Sequence, residues 1–155
     1  MNSWKIEVSY KPEITDFVGK EILEDIADLG IDGVESVRTA SIYWIEGTLN
    51  TEHIHRIGSE LLADPITQVF NLTEKKEKTN EWTIEVQYKP GVTDAVGDST
   101  VKGIKDIGIS SVNNVRTGKK FWLSGNLNNQ IIKNVAQRLL MNDVIQTFSY
   151  VEPHP

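Results

Sequence analysis

The strongest constraint on this chain is an internal repeat. Residue i matches residue i+78 from Trp4/Trp82 to Glu74/Glu152 without a gap, and 29 of the 71 aligned pairs are identical. A repeat fixes the unit that must fold, so it is interpreted before any other signal. Two copies are too few for a solenoid, whereas two fused copies imitate a two-fold homodimer with matching surfaces. We therefore predict a pseudo-dimer built from one polypeptide.

The repeat divides the chain into a first module at residues 1–74, a linker at 75–81 and a second module at 82–155. The linker is short, polar and charged, which is typical of a surface connection. A module of roughly 70 residues buries little surface by itself and would be marginally stable. Pairing of the two modules is expected to relieve that weakness.

Each module begins with a strand and a helix. Residues 4–10 alternate between apolar and polar side chains, which predicts a strand with one buried face. Thr15 or Asp16 is suited to cap the helix that follows, and Gly30 is suited to its C′ position. The predicted apolar residues of these two elements are Trp4, Ile6, Val8 and Tyr10 on the strand, then Val18, Ile22, Ile26 and Leu29 on the helix.

The rest of each module adds strands and a second helix. Residues 34–48 and 112–126 are rich in β-branched and aromatic residues, and each predicts one long bent strand or a hairpin. A second helix is predicted after Asn50 or Thr51, and in the other copy after Asn128. Residues 66–72 and 144–151 are predicted to close the modules as strands. The fold class is therefore α+β, with the order β-α-β(β)-α-β and two helices on one face of a mostly antiparallel sheet.

Composition excludes several functional classes. The net charge of −6 argues against binding of a nucleic-acid backbone, which needs clustered Lys and Arg. No stretch approaches the roughly 18 apolar residues of a membrane span. The start of the chain lacks the pattern of a signal peptide, and there is no cysteine for a disulfide or thiolate site. A cytoplasmic location is the simplest interpretation.

No catalytic or metal-binding constellation is visible in the sequence. His53 and His55 are two residues apart on a predicted helix, so they point to different faces and are poorly placed to share a metal. His154 lies in what we expect to be a frayed tail. There is no Gly-rich phosphate loop and no nucleophile elbow. We predict no catalytic residue, no metal and no cofactor.

The most informative local feature is the Val-Arg-Thr sequence at 37–39 and 115–117. An arginine on a strand can bind an anion or a partner through its planar guanidinium, or it can pair with the acidic helix of its own module. Only the second copy continues with Gly-Lys-Lys, so any function is not shared equally. The candidate binding residues are Arg38, Thr39, Arg116, Thr117, Gly118 and Lys119.

Charge also separates the two copies. Residues 4–74 carry a net charge of −9 and residues 82–152 a net charge of +2. Much of the acidic excess lies on the first helix, whose counterpart in the second copy is far less acidic. The simplest interpretation is a solvated charged face. The alternative is that the two faces meet different partners, which a true homodimer could not arrange.

One series of motifs recurs in the same order and at the same spacing in both copies. It comprises Lys89-Pro90, Asp94, Gly97, Ile107-Gly108 and Val112 to Lys119 in the second copy, and Lys11-Pro12, Asp16, Gly19, Leu29-Gly30 and Val34 to Arg38 in the first. This series resembles the pattern of the PurS family, the small subunit of phosphoribosylformylglycinamidine (FGAM) synthase. The resemblance covers nearly the whole chain, although the first copy departs from the pattern at Ala40-Ser41.

The resemblance implies a role in purine biosynthesis without a catalytic site in this chain. PurS modules pair into dimers that bridge a glutaminase subunit and an ATP-dependent synthetase subunit and support ammonia transfer between them. The chain is then expected to be a free subunit or the N-terminal region of a longer synthetase, and further dimerisation of the pseudo-dimer stays open. The main alternative is a regulatory domain of ACT-like architecture that binds amino acids or nucleotides.

Overall fold

The protein is described by a computed structural model that covers residues 2–72 and 79–154. Two of the helices, Thr51–Ile57 and Asn129–Val135, run directly into a π-helical turn, at Gly58–Leu62 and Ala136–Leu140. The elements are β1 (Asn2–Tyr10), α1 (Phe17–Asp28), β2 (Val34–Gly47), α2 (Thr51–Ile57), β3 (Gln68–Leu72), β4 (Trp82–Tyr88), α3 (Ala95–Asp106), β5 (Val112–Gly125), α4 (Asn129–Val135) and β6 (Gln146–Val151).

The strands form a six-stranded sheet in the order β3-β1-β2-β5-β4-β6. β1 pairs antiparallel with β2, from Asn2 opposite Gly47 to Ser9 opposite Ala40, and β1 also pairs antiparallel with β3. β4 pairs antiparallel with β6 in the same way. Of the two alternatives for residues 34–48, the structure adopts the long strand, since β2 continues for 14 residues without a turn. The predicted α+β class and antiparallel sheet are confirmed.

The chain folds into two compact units, and each unit takes elements from both repeats. Unit 1 comprises Met1–Ile14, Ala40–Lys75 and Thr93–Gly118, and unit 2 comprises Thr15–Thr39, Lys76–Val92 and Lys119–Pro155. The first helix of each repeat therefore belongs to the unit that holds the other repeat's second helix. The sequence repeats and the compact units are two different divisions of the chain, and the repeat boundaries at 1–74 and 82–155 stay a prediction.

The core of unit 1 lies between its strands and helices α2 and α3. The fully buried side chains of Ile54 and Ile57 from α2 pack with that of Ile104 from α3. Ile6 and Ile45 from the strands complete the same core. In addition, the Arg56 guanidinium donates to the Ile107 carbonyl oxygen over 2.8 Å and so joins the two helices.

The core of unit 2 has the same plan with the other pair of helices. Ile26 from α1 packs with Ile132 and Val135 from α4, against Ile84 and Leu123 from the strands. The prediction that two helices cover one face of the sheet is thus confirmed within each unit. What the repeat pattern does not reveal is that the two helices come from different repeats.

Predicted helix ends agree well with the structure. Asp16 caps α1 and Asn50 caps α2, each accepting a backbone N–H three residues later. Gly30 follows α1 with a φ of 77° and donates its N–H to the Ala27 carbonyl, which is the left-handed C′ position that favours glycine. The closing strands begin slightly later than predicted, at Gln68 and Gln146.

Some predicted faces are wrong. Val18 and Leu29 were expected on the buried side of α1, yet both are exposed. The helix instead packs on the core through Ile26, with Ile22 and Leu23 partly buried against the same core. Tyr10 is exposed as well, at the end of its strand. In contrast, Glu7 was placed on the solvent side of β1 but is only 3% exposed, where it lies opposite the fully buried Ile42 and 3.9 Å from the Lys5 ammonium.

The predicted linker lies partly outside the described residues, which resume at Thr79. There Thr79 and His154 form an isolated antiparallel bridge, with backbone N–H to O distances of 2.9 and 2.8 Å. The expectation of a frayed tail at His154 is therefore wrong, because two backbone hydrogen bonds fix that residue to the segment before β4.

Candidate functional site

The Val-Arg-Thr sequence of the first repeat is tied to the start of α1 through one carboxylate. Asp16 accepts the Gly19 N–H over 2.8 Å as an N-cap, and its other oxygen accepts the Thr39 N–H over 2.7 Å. The Thr39 hydroxyl donates to the same carboxylate over 2.8 Å. A charged acceptor with several N–H and O–H donors is a strong arrangement, because both carboxylate oxygens are used.

The second repeat builds the same arrangement in unit 1. Asp94 accepts the Gly97 N–H over 2.8 Å, the Thr117 N–H over 2.6 Å and the Thr117 hydroxyl over 2.9 Å. Asp94 is only 4% exposed, and these three donors supply the hydrogen bonds that water would otherwise give its carboxylate. We refer to each set of an aspartate, a glycine and a threonine as the aspartate clamp.

The glycines of the clamp bring helix and strand backbones into contact. A Cβ atom added at Gly19 would lie 2.3 Å from the Val37 carbonyl oxygen, and one at Gly97 would lie 2.2 Å from that of Val115. Only glycine permits this approach. The Thr-Asp-x-x-Gly and Val-Arg-Thr motifs thus form one structural unit, in which Thr39 and Thr117 hold the start of the helix.

Arg38 points to the sheet face opposite the clamp, because neighbouring residues on a strand alternate. Its guanidinium binds Glu81 through two hydrogen bonds, of 2.6 and 3.3 Å, and lies 4.4 Å from the centroid of the Trp122 ring. The Lys120 ammonium lies 4.8 Å from the same ring centroid. Two cations thus share one indole, and the acidic partner of Arg38 is Glu81, which precedes β4, rather than the acidic helix of its own repeat.

The corresponding residues of the second repeat stand in a different setting. Arg116 is half-buried and Lys119 exposed, both have interaction partners, and Gly118 is half-buried on β5. The position equivalent to Glu81 is Ser3, and the position equivalent to Lys120 is Ile42. The carboxylate that binds Arg38 therefore has no counterpart at the equivalent position, Ser3.

The histidines have separate local environments. The His53 Nδ1 accepts the Asn50 N–H over 3.2 Å within a capping box, whereas the exposed His55 meets the ring of Phe70 edge-on. Within residues 2–72 and 79–154, no group of three or more His, Cys, Asp or Glu residues could hold a metal ion. In the described part of the chain, no helix is long and apolar enough to cross a membrane.

A protein-family model described as PurS, phosphoribosylformylglycinamidine (FGAM) synthase, matches residues 3–76 and again residues 81–152. The chain belongs to the PurS family. No curated protein matches it. Membership of the PurS family implies a role in FGAM synthase and in purine biosynthesis, where PurS is a non-catalytic subunit associated with the other subunits of the synthase.

The PurS motifs in this chain coincide with the aspartate clamp and with a second brace. Lys11 donates its ammonium to the Pro65 carbonyl over 2.8 Å, and Lys89 donates to that of Asp143 over 2.6 Å. The sequence identified Asp16 as a candidate helix cap and both aspartates as positions of the PurS pattern, but not their bonds to Thr39 and Thr117. It also did not place Glu81, Trp122 and Lys120 around Arg38. The available signal for the clamp was the spacing of 23 residues between Asp and Thr in both repeats.

Proposed function

We propose that this chain is the non-catalytic bridging component of FGAM synthase, joining the glutaminase and synthetase subunits and supporting ammonia transfer between them. The observation that carries the proposal is the double PurS match, which spans both repeats almost from end to end. The chain supplies in one polypeptide the two PurS modules that the bridging role requires.

The geometry supports a scaffold with two different surfaces. Both units keep the aspartate clamp and the lysine brace, so the same framework is held twice. Side chains outside the framework have diverged: Glu81 binds Arg38, whereas the equivalent position in the other repeat is Ser3. Two distinct surfaces on one framework suit two distinct partner subunits.

The proposal is tested by co-purification of the chain with the glutaminase and synthetase subunits. We expect a complex of all three components, strongest with glutamine and Mg-ADP present. Omission of this chain is expected to abolish glutamine-dependent activity while ammonia-dependent activity of the synthetase subunit persists. Failure to bind either subunit under any of these conditions would refute the bridging role.

A second test compares the two arginines. Arg38→Ala removes a guanidinium bound to Glu81 and Trp122, whereas Arg116→Ala removes a half-buried arginine of the other repeat, in which the position equivalent to Glu81 is Ser3. If the halves have specialised, the two variants will change the affinity for the two partner subunits unequally. Equal effects of both variants on both partners would contradict specialisation while leaving the bridging role intact.

A further inference from the structure

Unit 1 contains a pocket of about 340 Å³ between β3 and the end of the π-helical turn. Its walls are mostly apolar, formed by Ala63, Pro65, Val69 and Phe70, and its polar lining includes Lys11 and Gln68. This volume is at the small end of the range of roughly 300–1,000 Å³ for ligand sites. Apolar walls with a few polar groups are typical of such sites.

Two positions at this pocket carry larger residues in the second repeat: Ala63, which lines it, and Gly58, which contacts the lining residue Phe70. A Cβ atom added at Gly58 would lie 2.5–2.7 Å from the ring of Phe70, so glycine allows that ring to rest directly on the helix backbone. The equivalent of Gly58 is Ala136, and the equivalent of Ala63 is Met141, a much larger side chain. In unit 2, Phe148 instead stacks on Tyr150 at 6.3 Å.

A cation lies at the edge of this pocket. The Lys11 ammonium is held in place by its bond of 2.8 Å to the Pro65 carbonyl oxygen, and both residues line the cavity. An ammonium has three donors, so it can bind an anion without losing this bond. Because it is already positioned, little side-chain entropy is lost when the anion binds.

We propose that this pocket binds a small organic carboxylate with an apolar body. The apolar body lies against Phe70, Val69 and Ala63, and the carboxylate pairs with the Lys11 ammonium. This inference is independent of the bridging role, because it rests on a pocket within unit 1 whose lining residue Ala63 is replaced by Met141 in the other repeat. It assigns a ligand site to one half of the duplicated chain.

The probes are phenylacetate, the uncharged phenylacetamide and acetate, added to the full ¹⁵N-labelled chain and followed by NMR. We expect saturable shifts with phenylacetate at the amides of Gln68, Val69 and Phe70. Phenylacetamide should bind at least about tenfold more weakly because it cannot pair with the ammonium. Acetate lacks the apolar body and should give no saturable shifts at the concentrations that saturate the site with phenylacetate.

Two variants close the pocket with residues taken from the second repeat. Ala63→Met fills its floor, and Ser59→Gln, at an exposed lining position, narrows its mouth without disturbing the core. Both should weaken phenylacetate binding at least about tenfold. Lys11→Met should do the same, whereas Lys89→Met, which breaks the matching brace to Asp143 in unit 2, should leave binding unchanged.

The proposal is overturned if phenylacetate gives no saturable shifts, if its shifts map outside the pocket, or if Ser59→Gln and Lys11→Met leave them unaltered. Co-purification with the two synthase subunits is measured on the same variants. Loss of probe binding with an intact complex confirms that the two functions are separable. Probe binding without any complex would leave the pocket standing and refute the bridging role.

Discussion

At the scale of single residues, the two aspartate clamps explain why the motifs of both repeats were retained. Each aspartate joins a helix start to the middle of a strand, and each threonine contributes both its N–H and its hydroxyl. Asp94 is buried, whereas Asp16 is half-buried. The two aspartates make the same hydrogen bonds but differ in solvent exposure. The same substitution at each therefore shows how burial changes the contribution of the carboxylate to stability.

Asp94→Asn is therefore expected to be the more damaging of the two amide substitutions. The amide loses the negative charge and turns an NH₂ group toward N–H donors, so a buried donor loses its acceptor, at a cost of about 2–3 kcal/mol in unfolding free energy. Asp16→Asn should cost about 1–2 kcal/mol, because water can reach the donors that lose their partner. Urea denaturation checks both values.

Asp106→Asn is the control for this comparison, since Asp106 is exposed at the end of α3. Its effect should stay within about 0.5 kcal/mol, as for other surface substitutions. Equal losses for Asp94→Asn and Asp106→Asn would show that the clamp carries no special stability.

Tyr43 makes stability depend on pH in the alkaline range. Burial raises the pKa of Tyr43 above its ordinary value of 10.0, because the charged phenolate is poorly solvated there. The folded state thus holds the proton more tightly than the unfolded chain. The contribution of Tyr43 to the free energy of unfolding is therefore complete below pH 10 and is lost as the pH rises through the folded-state pKa.

Tyr43→Phe tests this dependence, and Phe121 already occupies the equivalent position of the second repeat. We expect the wild-type chain to lose more unfolding free energy than the variant between neutral pH and pH 11. Urea midpoints measured across that range give the comparison. Parallel curves for the two proteins would exclude Tyr43 as a cause of alkaline destabilisation.

At the scale of elements, the first helix of each repeat lies directly against the backbone of a long strand. The sequence predicts the helix itself, through Asp16, Ile26 and Gly30, because caps and spacing are local signals. It also predicts an extended segment at 34–48. It does not predict that Gly19 touches the Val37 carbonyl, since that contact joins residues whose spacing has no periodic signature.

Gly97→Ala should be severely destabilising, because the start of α3 lies directly against the backbone of β5 at this residue. Its Cβ would lie 2.2 Å from the Val115 carbonyl oxygen, and backbone atoms on both sides resist displacement. We expect a loss of about 3 kcal/mol or more in unfolding free energy, as for the worse cases of overpacking. Thermal and urea unfolding provide the measurement.

Gly103→Ala is the matched control on the same helix. The nearest atoms to its added Cβ are the ends of the Leu61 side chain, at 3.0 and 3.2 Å, which can move. Alanine also favours the helix over glycine by about 1 kcal/mol, so the net change should be small. A Gly97→Ala variant as stable as Gly103→Ala would mean that the helix start is not held against the strand.

At the scale of the whole molecule, the sequence does not predict that the two repeats exchange helices. The repeat shows what each copy contains, but Ile26 and Ile104 would fit a core with either second helix. Each copy has near-identical apolar positions, so hydrophobic pattern alone cannot choose between the two pairings. The structure resolves the choice in favour of exchange: Ile104 packs with Ile54 and Ile57, and Ile26 packs with Ile132 and Val135.

The exchange predicts how the chain behaves when it is divided. A fragment of residues 1–77 contains α2 but lacks α3, the helix that shares its core, and a fragment of residues 78–155 lacks α1. Neither fragment can bury its core as an isolated monomer. We expect each fragment alone to unfold without cooperativity or to self-associate, and an equimolar mixture to form a 1:1 complex with the circular dichroism and cooperative unfolding of the intact chain.

Sedimentation and urea unfolding show whether each fragment folds as a monomer or only in the 1:1 complex. A mixture of residues 1–77 with a Gly97→Ala version of residues 78–155 provides the control, because that substitution disrupts the helix that must be donated. Cooperative unfolding of either fragment as a monomer would contradict the exchange, since it would require the two helices of a single repeat to cover their own strands. If cooperative unfolding appears only when the two fragments are mixed, the two repeats are obligate partners, each supplying a helix that the other cannot replace.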